Sequence, residues 1–439
     1  MLFERRTMSG LFAMGATALV LAACGSSSSG TQDTTTAGAG GGTGTGGAAA
    51  GGTSAAGAGG TGTPPGMCTP TTCQVAPADP MKGAGDGTAP NIQAINKLFL
   101  GDTDRMGVAK SDAWQNYGFA ISGKIFKDAK GGAATHCKPQ DGAKPADVIV
   151  NGTNGVDNSF GKNIWPIVLG LASDAGQKVQ DSITGGSFSV LVRIDTLGAG
   201  TDYSGLNATL FAAQGTLDAM GGTVAPTDWS TYKWHPFSTL PGGVPFASSY
   251  VANNTWVSGS QGDITLTLSF SGYDLSLAIH KATAAHTLSA DHKTATNGNI
   301  GGVLGTDQLV SAVKSIAGKV SSSLCMGTAL DGVLQQIRQA SDIGLDGTQD
   351  PSKVCDGISI GLGYETTASD LGDTAPASMP KDACAMLATE PLHYSRLSAA
   401  PLPSLRRGSR GRRTLCSREK ISRSVCVRGC EAPIRSRKV

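Results

Sequence analysis

Ile264-Thr265-Leu266-Thr267-Leu268-Ser269-Phe270 alternates apolar and polar residues without a break, and Ser271-Gly272 separates it from Leu275-Ser276-Leu277-Ala278-Ile279, which alternates in the same way. Successive side chains of a strand point to opposite faces, so the pattern is a hairpin with one buried face. The same period runs through Tyr117–Ile121, Ser187–Ile194 and the late segment Ile358, Ile360, Leu362 and Tyr364, whose alternate positions are Ser359, Gly361 and Gly363. Helical spacing appears three times. It joins Ile164, Ile167, Val168, Leu171, Ala175 and Val179, with Asn163 as a cap and Pro166 in the first turn. It recurs in Leu309, Val310, Val313, Ile316, Ala317 and Val320 after Thr306 and Asp307, and again in Leu330, Val333, Leu334 and Ile337. Long strands without a βαβ rhythm predict an α+β fold: mainly antiparallel, β-sandwich-like sheets with about three packed amphipathic helices.

Around this body the charge is unevenly spread. The 439 residues carry a net charge of +2, but Leu392–Val439 holds 11 Arg and 2 Lys against Glu419 and Glu431, a local charge of +11. The rest of the chain has 22 basic and 31 acidic residues, a charge of −9. An acidic body argues against nucleic-acid partners, and only the tail speaks for them. That tail, 391–439, is rich in Arg and Ser, loses the apolar periodicity and contains Cys416, Cys426 and Cys430. A basic arm for nucleic acid or anionic lipid headgroups and a lipopolysaccharide-binding segment are two readings of it; out-of-frame translation of GC-rich codons also gives such a composition, so the segment reads as disordered or non-native and is left out of the fold.

The N-terminus is an address. Arg5 and Arg6 precede an apolar run from Leu11 to Leu21, too short to span a bilayer, and small residues lead to Cys24. From Gly25 to Gly66 there are 16 Gly in 42 residues and one charge, Asp33. Such a segment buries no core and forms a flexible tether with an r.m.s. span of about 35 Å. The expected organisation is a signal peptide over 1–24, a tether over 25–66, a disulfide-containing globular region over 67–390 and the basic tail.

Within the globular region six cysteines form an even set: Cys68, Cys73, Cys137, Cys325, Cys355 and Cys384. In an exported protein they predict disulfides, with 15 connectivities open. Cys68 and Cys73 flank Pro70 at a spacing that closes a local loop, and the other four would tie the C-terminal segment to the body. Zinc is disfavoured because CxxC pairs are missing.

Catalytic motifs are missing: the chain has no GxSxG, HExxH or Walker loop, no GxGxxG entering a helix, and no suitably placed SxxK. His280, His286 and His292 recur every six residues but on one strand would lie about 20 Å apart, too far to share an ion; a bent chain would bring His286 and His292 to Asp291. Two loops gather oxygen ligands suited to structural calcium: Asn151, Asn154 and Asp157 in one, Asp342, Asp346 and Asp350 in the other. The same residues make Asx turns without a metal. Trp229, Tyr232 and Trp234 form an aromatic group that would bind a sugar ring if exposed and serve as satellite core if covered.

Leu21-Ala22-Ala23-Cys24 resembles the bacterial lipobox. The resemblance implies that Cys24 receives diacylglycerol and becomes the first mature residue, and Gly25 in place of an acidic residue implies the outer membrane. Asn151–Gly161 and Cys355–Tyr364 resemble segments of bacterial extracytoplasmic lipoproteins to which no activity is assigned. The expectation is therefore a lipid-anchored cell-envelope protein, facing the periplasm or the exterior, that acts as a non-enzymatic binding or structural module. A glycan or an envelope protein would be its partner. The alternative is a secreted hydrolase or carbohydrate-binding protein whose site is dispersed in sequence.

Overall fold

The computed structural model describes residues 65–375 apart from 239–241, 260, 271–272, 321–323 and 325–327. Its strands are β1 (Gly66–Met67), β2 (Asn91–Phe99), β3 (Lys124–Ile125), β4 (Ser189–Ile194), β5 (Tyr203–Gly215), β6 (Lys233–Pro236) and β7 (Val244–Ala252). They continue with β8 (Thr255–Val257), β9 (Gly262–Phe270), β10 (Tyr273–Leu288), β11 (Thr294–Gly305), β12 (Gly357–Ala368) and β13 (Asp370–Leu371). The helices are α1 (Ala129–Gly132), α2 (Pro145–Ile149), α3 (Trp165–Leu171), α4 (Ala175–Thr184), α5 (Thr306–Val320) and α6 (Thr328–Gln339). Among the described residues no helix is long and apolar enough to cross a membrane.

The expected α+β sandwich is not what forms. Eight antiparallel strands close into a barrel in the order β5-β4-β2-β12-β11-β10-β8-β7, and β7 returns to β5 with Tyr203 opposite Val251 and Leu210 opposite Val244. β9 follows β8 along the same edge of β10, while β6 and β13 extend the sheet beyond β5. Alternation reports that a strand has a buried face, but not whether that face looks onto a second sheet or into a closed ring. Closure rests on pairings distant in sequence and on bulges that bend strands, as between His280 and Thr283 in β10.

Inside the ring lie Val190, Val192, Leu206, Trp256, Ile300, Ile358, Ile360 and Leu362, all in one buried apolar cluster. His286 is enclosed with them, stacked on Trp256 at 4.9 Å and bonded through Nδ1 to the Tyr364 hydroxyl at 3.0 Å. α4 bridges β2, a strand of the ring, and β9, which lies on the edge of β10. α5 packs on β10 and β11 and against α6. The helix expected over Ile164–Val179 is in fact a π-turn at Phe160–Ile164, then α3, then α4 after a break at Ala172–Asp174, with Pro166 in the first turn of α3.

Tyr117–Ile121, expected as a strand, is an irregular segment laid on the outer surface of β11 and β12. The glycines of those strands make room for it. A Cβ on Gly361 would lie 2.1 Å from the Tyr117 carbonyl oxygen, and one on Gly118, whose φ is +99°, 2.7 Å from the Gly361 Cα.

Candidate functional site

The outer layer brings two loops together that the sequence separates by almost two hundred residues. Asn158 is the fastening point. Its Nδ2 donates to the carbonyls of Trp114, Tyr117 and Gly361, and its Oδ1 accepts from the Gly161 and Gly361 amides. Beside it Asp157 accepts from the Ser122 amide at 2.7 Å and from the Asn151 side chain. Asp342 accepts from the Ser359 amide at 2.7 Å and the Ser359 hydroxyl at 2.5 Å, and that hydroxyl accepts from the Ser159 amide at 2.8 Å. Both carboxyls are buried. Burial is the main reason each is pushed up to about 7; the charge of Asp342 adds to the effect at Asp157, and the Ser359 bonds oppose it at Asp342. Lys162 stands close by, donating to the Ala146 and Val150 carbonyls and lying 5.3 Å from the Trp114 ring centre. Asp157, Asp342, Asn151, Lys162 and His136 enclose a cavity of about 10 Å³, the volume of a single water probe. Asn151, Asp157 and Asp342 from the calcium reading thus meet, with their carboxylate oxygens already bonded to protein donors. Asn154 does not join them; it is exposed at the turn tip with φ +52°.

Asp346 and Asp350 face elsewhere. They line an open cleft of about 430 Å³ with Asp263, Asp356, His280, Lys281 and Lys353. Asp346 accepts from the Thr348 hydroxyl and amide, and Asp350 from the Ser352 hydroxyl and amide; these bonds hold both carboxyls below the usual carboxylate range. Asp356 accepts from the Leu345 amide at 2.8 Å. Across the cleft His280 Nδ1 lies 3.2 Å from Asp263 Oδ2 and its Nε2 2.9 Å from Gln308 Oε1. The cleft therefore carries four carboxylates against two lysines, and its Thr348 hydroxyl is occupied by Asp346. Sequence reasoning did not single out Asp263 or Asp356, and weighed His280 only within the series of three histidines. A signal existed for Asp263 and His280: the alternation on either side of Ser271-Gly272 predicts the hairpin that pairs Ile264 with Ile279 and so sets 263 beside 280.

The other sequence candidates separate. The bulge in β10 turns His280 outward and leaves His286 inside, where burial drives its imidazole down to about 3. His292 sits in a turn at φ +56°, so the three histidines share no site. Trp234 is completely buried against Ala94, Leu191, Phe211 and Ala213, with Trp229 and Tyr232 half-buried over it at 5.7 and 5.1 Å. The aromatic group is a satellite core on the outer face of the sheet.

Cys68 and Cys73 form the local disulfide, and Cys137 and Cys355 a second one with Cα atoms 5.2 Å apart. Cys24, Cys325 and Cys384 lie outside the described residues. Among the described residues His136, Cys137 and Cys355 are grouped with their ligand atoms within 4.8 Å of one another. No protein-family model, curated protein or solved structure matches the chain.

Proposed function

We propose that the chain is a lipid-anchored cell-envelope protein that uses the acidic cleft to bind a small cationic ligand, calcium being the simplest. The cleft carries this reading: its volume of about 430 Å³ falls in the range of ligand sites, and polar groups converge on it from two strands and one turn-rich loop. Asp346 and Asp350 are ionised at neutral pH as carboxylates ordinarily are, and the hydrogen bonds of their own turns hold them further below the usual range. The loop that carries them is tied to the body by the disulfide at Cys355, which fixes the charges in place before a ligand arrives. The lipobox and the tether support the envelope location, since an acylated Cys24 would hold the barrel near a membrane while leaving the cleft open to solutes.

Calcium chloride and spermidine, titrated separately against the purified protein, are expected to raise its melting temperature in a saturable manner. The Asp263→Asn/Asp346→Asn variant should melt normally without ligand and lose the rise. If neither cation moves the transition, or the variant responds as the parent does, the binding reading fails. Labelling of the parent and of Cys24→Ser with an alkyne fatty acid tests the anchor independently.

A further inference from the structure

His136, Cys137 and Cys355 are all buried, and the parts that hold them do not depend on the bond between the sulfurs. Lys138 donates its amide to the Lys353 carbonyl at 2.8 Å and accepts from the Cys355 amide at 2.9 Å, a short parallel bridge that keeps the two cysteine backbones side by side. The Cys137 amide is fixed by Gln349 Oε1 at 2.9 Å and the Cys355 carbonyl by Gln140 Nε2 at 2.8 Å. His136 is packed edge-on against Phe126, with Nδ1 2.6 Å from the Cys137 carbonyl oxygen and 3.9 Å from Cys355 Sγ. Its ring also reaches the carbonyls of Val148 and Asp342. Nδ1 donates to the Cys137 carbonyl in the oxidised protein, so it becomes a ligand only once that proton is lost and the carbonyl gives way to the ion, the ring keeping its other proton for the remaining carbonyl acceptors, the usual arrangement around a metal. Two thiolates and one imidazole within 4.8 Å of one another need only small movements to surround a soft ion.

We propose that, while its cysteines are still thiols, the chain binds a thiophilic d10 cation, zinc(II) or copper(I), through His136, Cys137 and Cys355, and that closure of the disulfide releases it. An exported chain meets the envelope with reduced cysteines, so this state precedes the oxidised one. On binding, each thiol gives up its proton. On release, a disulfide oxidant takes two electrons from the two bound sulfurs and two protons from solvent, becoming a dithiol. The Cys137–Cys355 bond forms, and the cation leaves with its charge unchanged. Cys137 also lines the acidic cleft, which gives the ion a route in and out and a source of water as a further ligand. The proposal does not require the cleft to bind a ligand of its own.

The test uses the full chain, reduced with a dithiol and freed of metal. Zinc and copper(I) are supplied in turn from competing chelators. The parent should take up one equivalent more than Cys137→Ser/Cys355→Ser, the cobalt(II) form should show a thiolate charge-transfer band that the double variant lacks, and reoxidation should discharge the ion. His136→Ala should weaken binding at least tenfold. Equal uptake by parent and double variant, unchanged affinity in His136→Ala, or loss of near-ultraviolet circular dichroism in the reduced parent would each overturn the proposal. Failure of the calcium and spermidine titrations leaves it standing, because those use the oxidised protein.

Discussion

Asp157 and Asp342 are buried carboxyls that accept hydrogen bonds yet stay well above their usual value, because the loss of water outweighs the bonds gained. Folding therefore favours their protonated forms. The stability they contribute is complete below the ordinary carboxylate range, near pH 4, and is lost as pH rises through about 7. His136 and His286 act in the opposite sense: burial lowers both, so their contribution grows with pH until the unfolded imidazole, at about 6.5, is neutral. The measurement that isolates the carboxyls is the difference between parent and variant. Melting curves from pH 4.5 to 8 should show Asp157→Asn closing its deficit, or overtaking the parent, as pH rises; a deficit that is constant across the range would contradict the assignment. Both residues stand out in the sequence as members of oxygen-rich loops, but their burial does not. It arises because Asn158 and Ser359 clamp the two loops onto β12, contacts between residues some two hundred positions apart.

At the level of elements, local pairing was legible and distant pairing was not. The pairing of β9 with β10 follows from the alternation on either side of Ser271-Gly272, and α5 and α6 follow from their apolar spacing. Nothing in β5 announces that β7 will close on it, and nothing in β10 announces the bulge that sends His280 out and keeps His286 in. Tyr117–Ile121 reads as a strand because it is apolar, yet its backbone pairs with no strand; its apolar groups cover the glycines of β11 and β12 instead. The glycines at alternate positions of β12 were visible, but as alternation, not as a seat for another segment. That seat is testable. Gly361→Ala places a methyl group into the Tyr117 carbonyl and should cost about 3 kcal/mol in urea denaturation, at the upper end for overpacking. Gly170→Ala, whose Cβ would meet nothing within 4 Å on α3, should be neutral or stabilising by up to about 1 kcal/mol. Equal effects at the two sites would mean that the outer layer is not seated on the glycines.

For the whole molecule, the eight strands of the ring all lie between Asn91 and Ala368, ahead of the basic tail in the chain. The tail opposes the body electrically: residues 25–391 carry −10 and Leu392–Val439 carries +11. Near an anionic leaflet a polybasic segment gains about 1 kcal/mol per basic residue close to the surface, and screening confines that gain to about 8 Å at physiological salt. Acyl chains on Cys24 would be indifferent to salt, so the two modes of attachment separate by ionic strength. A chain ending at residue 390 should melt at the parent's temperature and, when acylated, stay with membranes through a high-salt wash. Full-length Cys24→Ser should bind anionic vesicles at low salt and release them at high salt, and the doubly altered protein should not bind at all. If shortening the chain lowers the melting temperature, the tail belongs to the fold, and the reading of 391–439 as foreign to it is wrong.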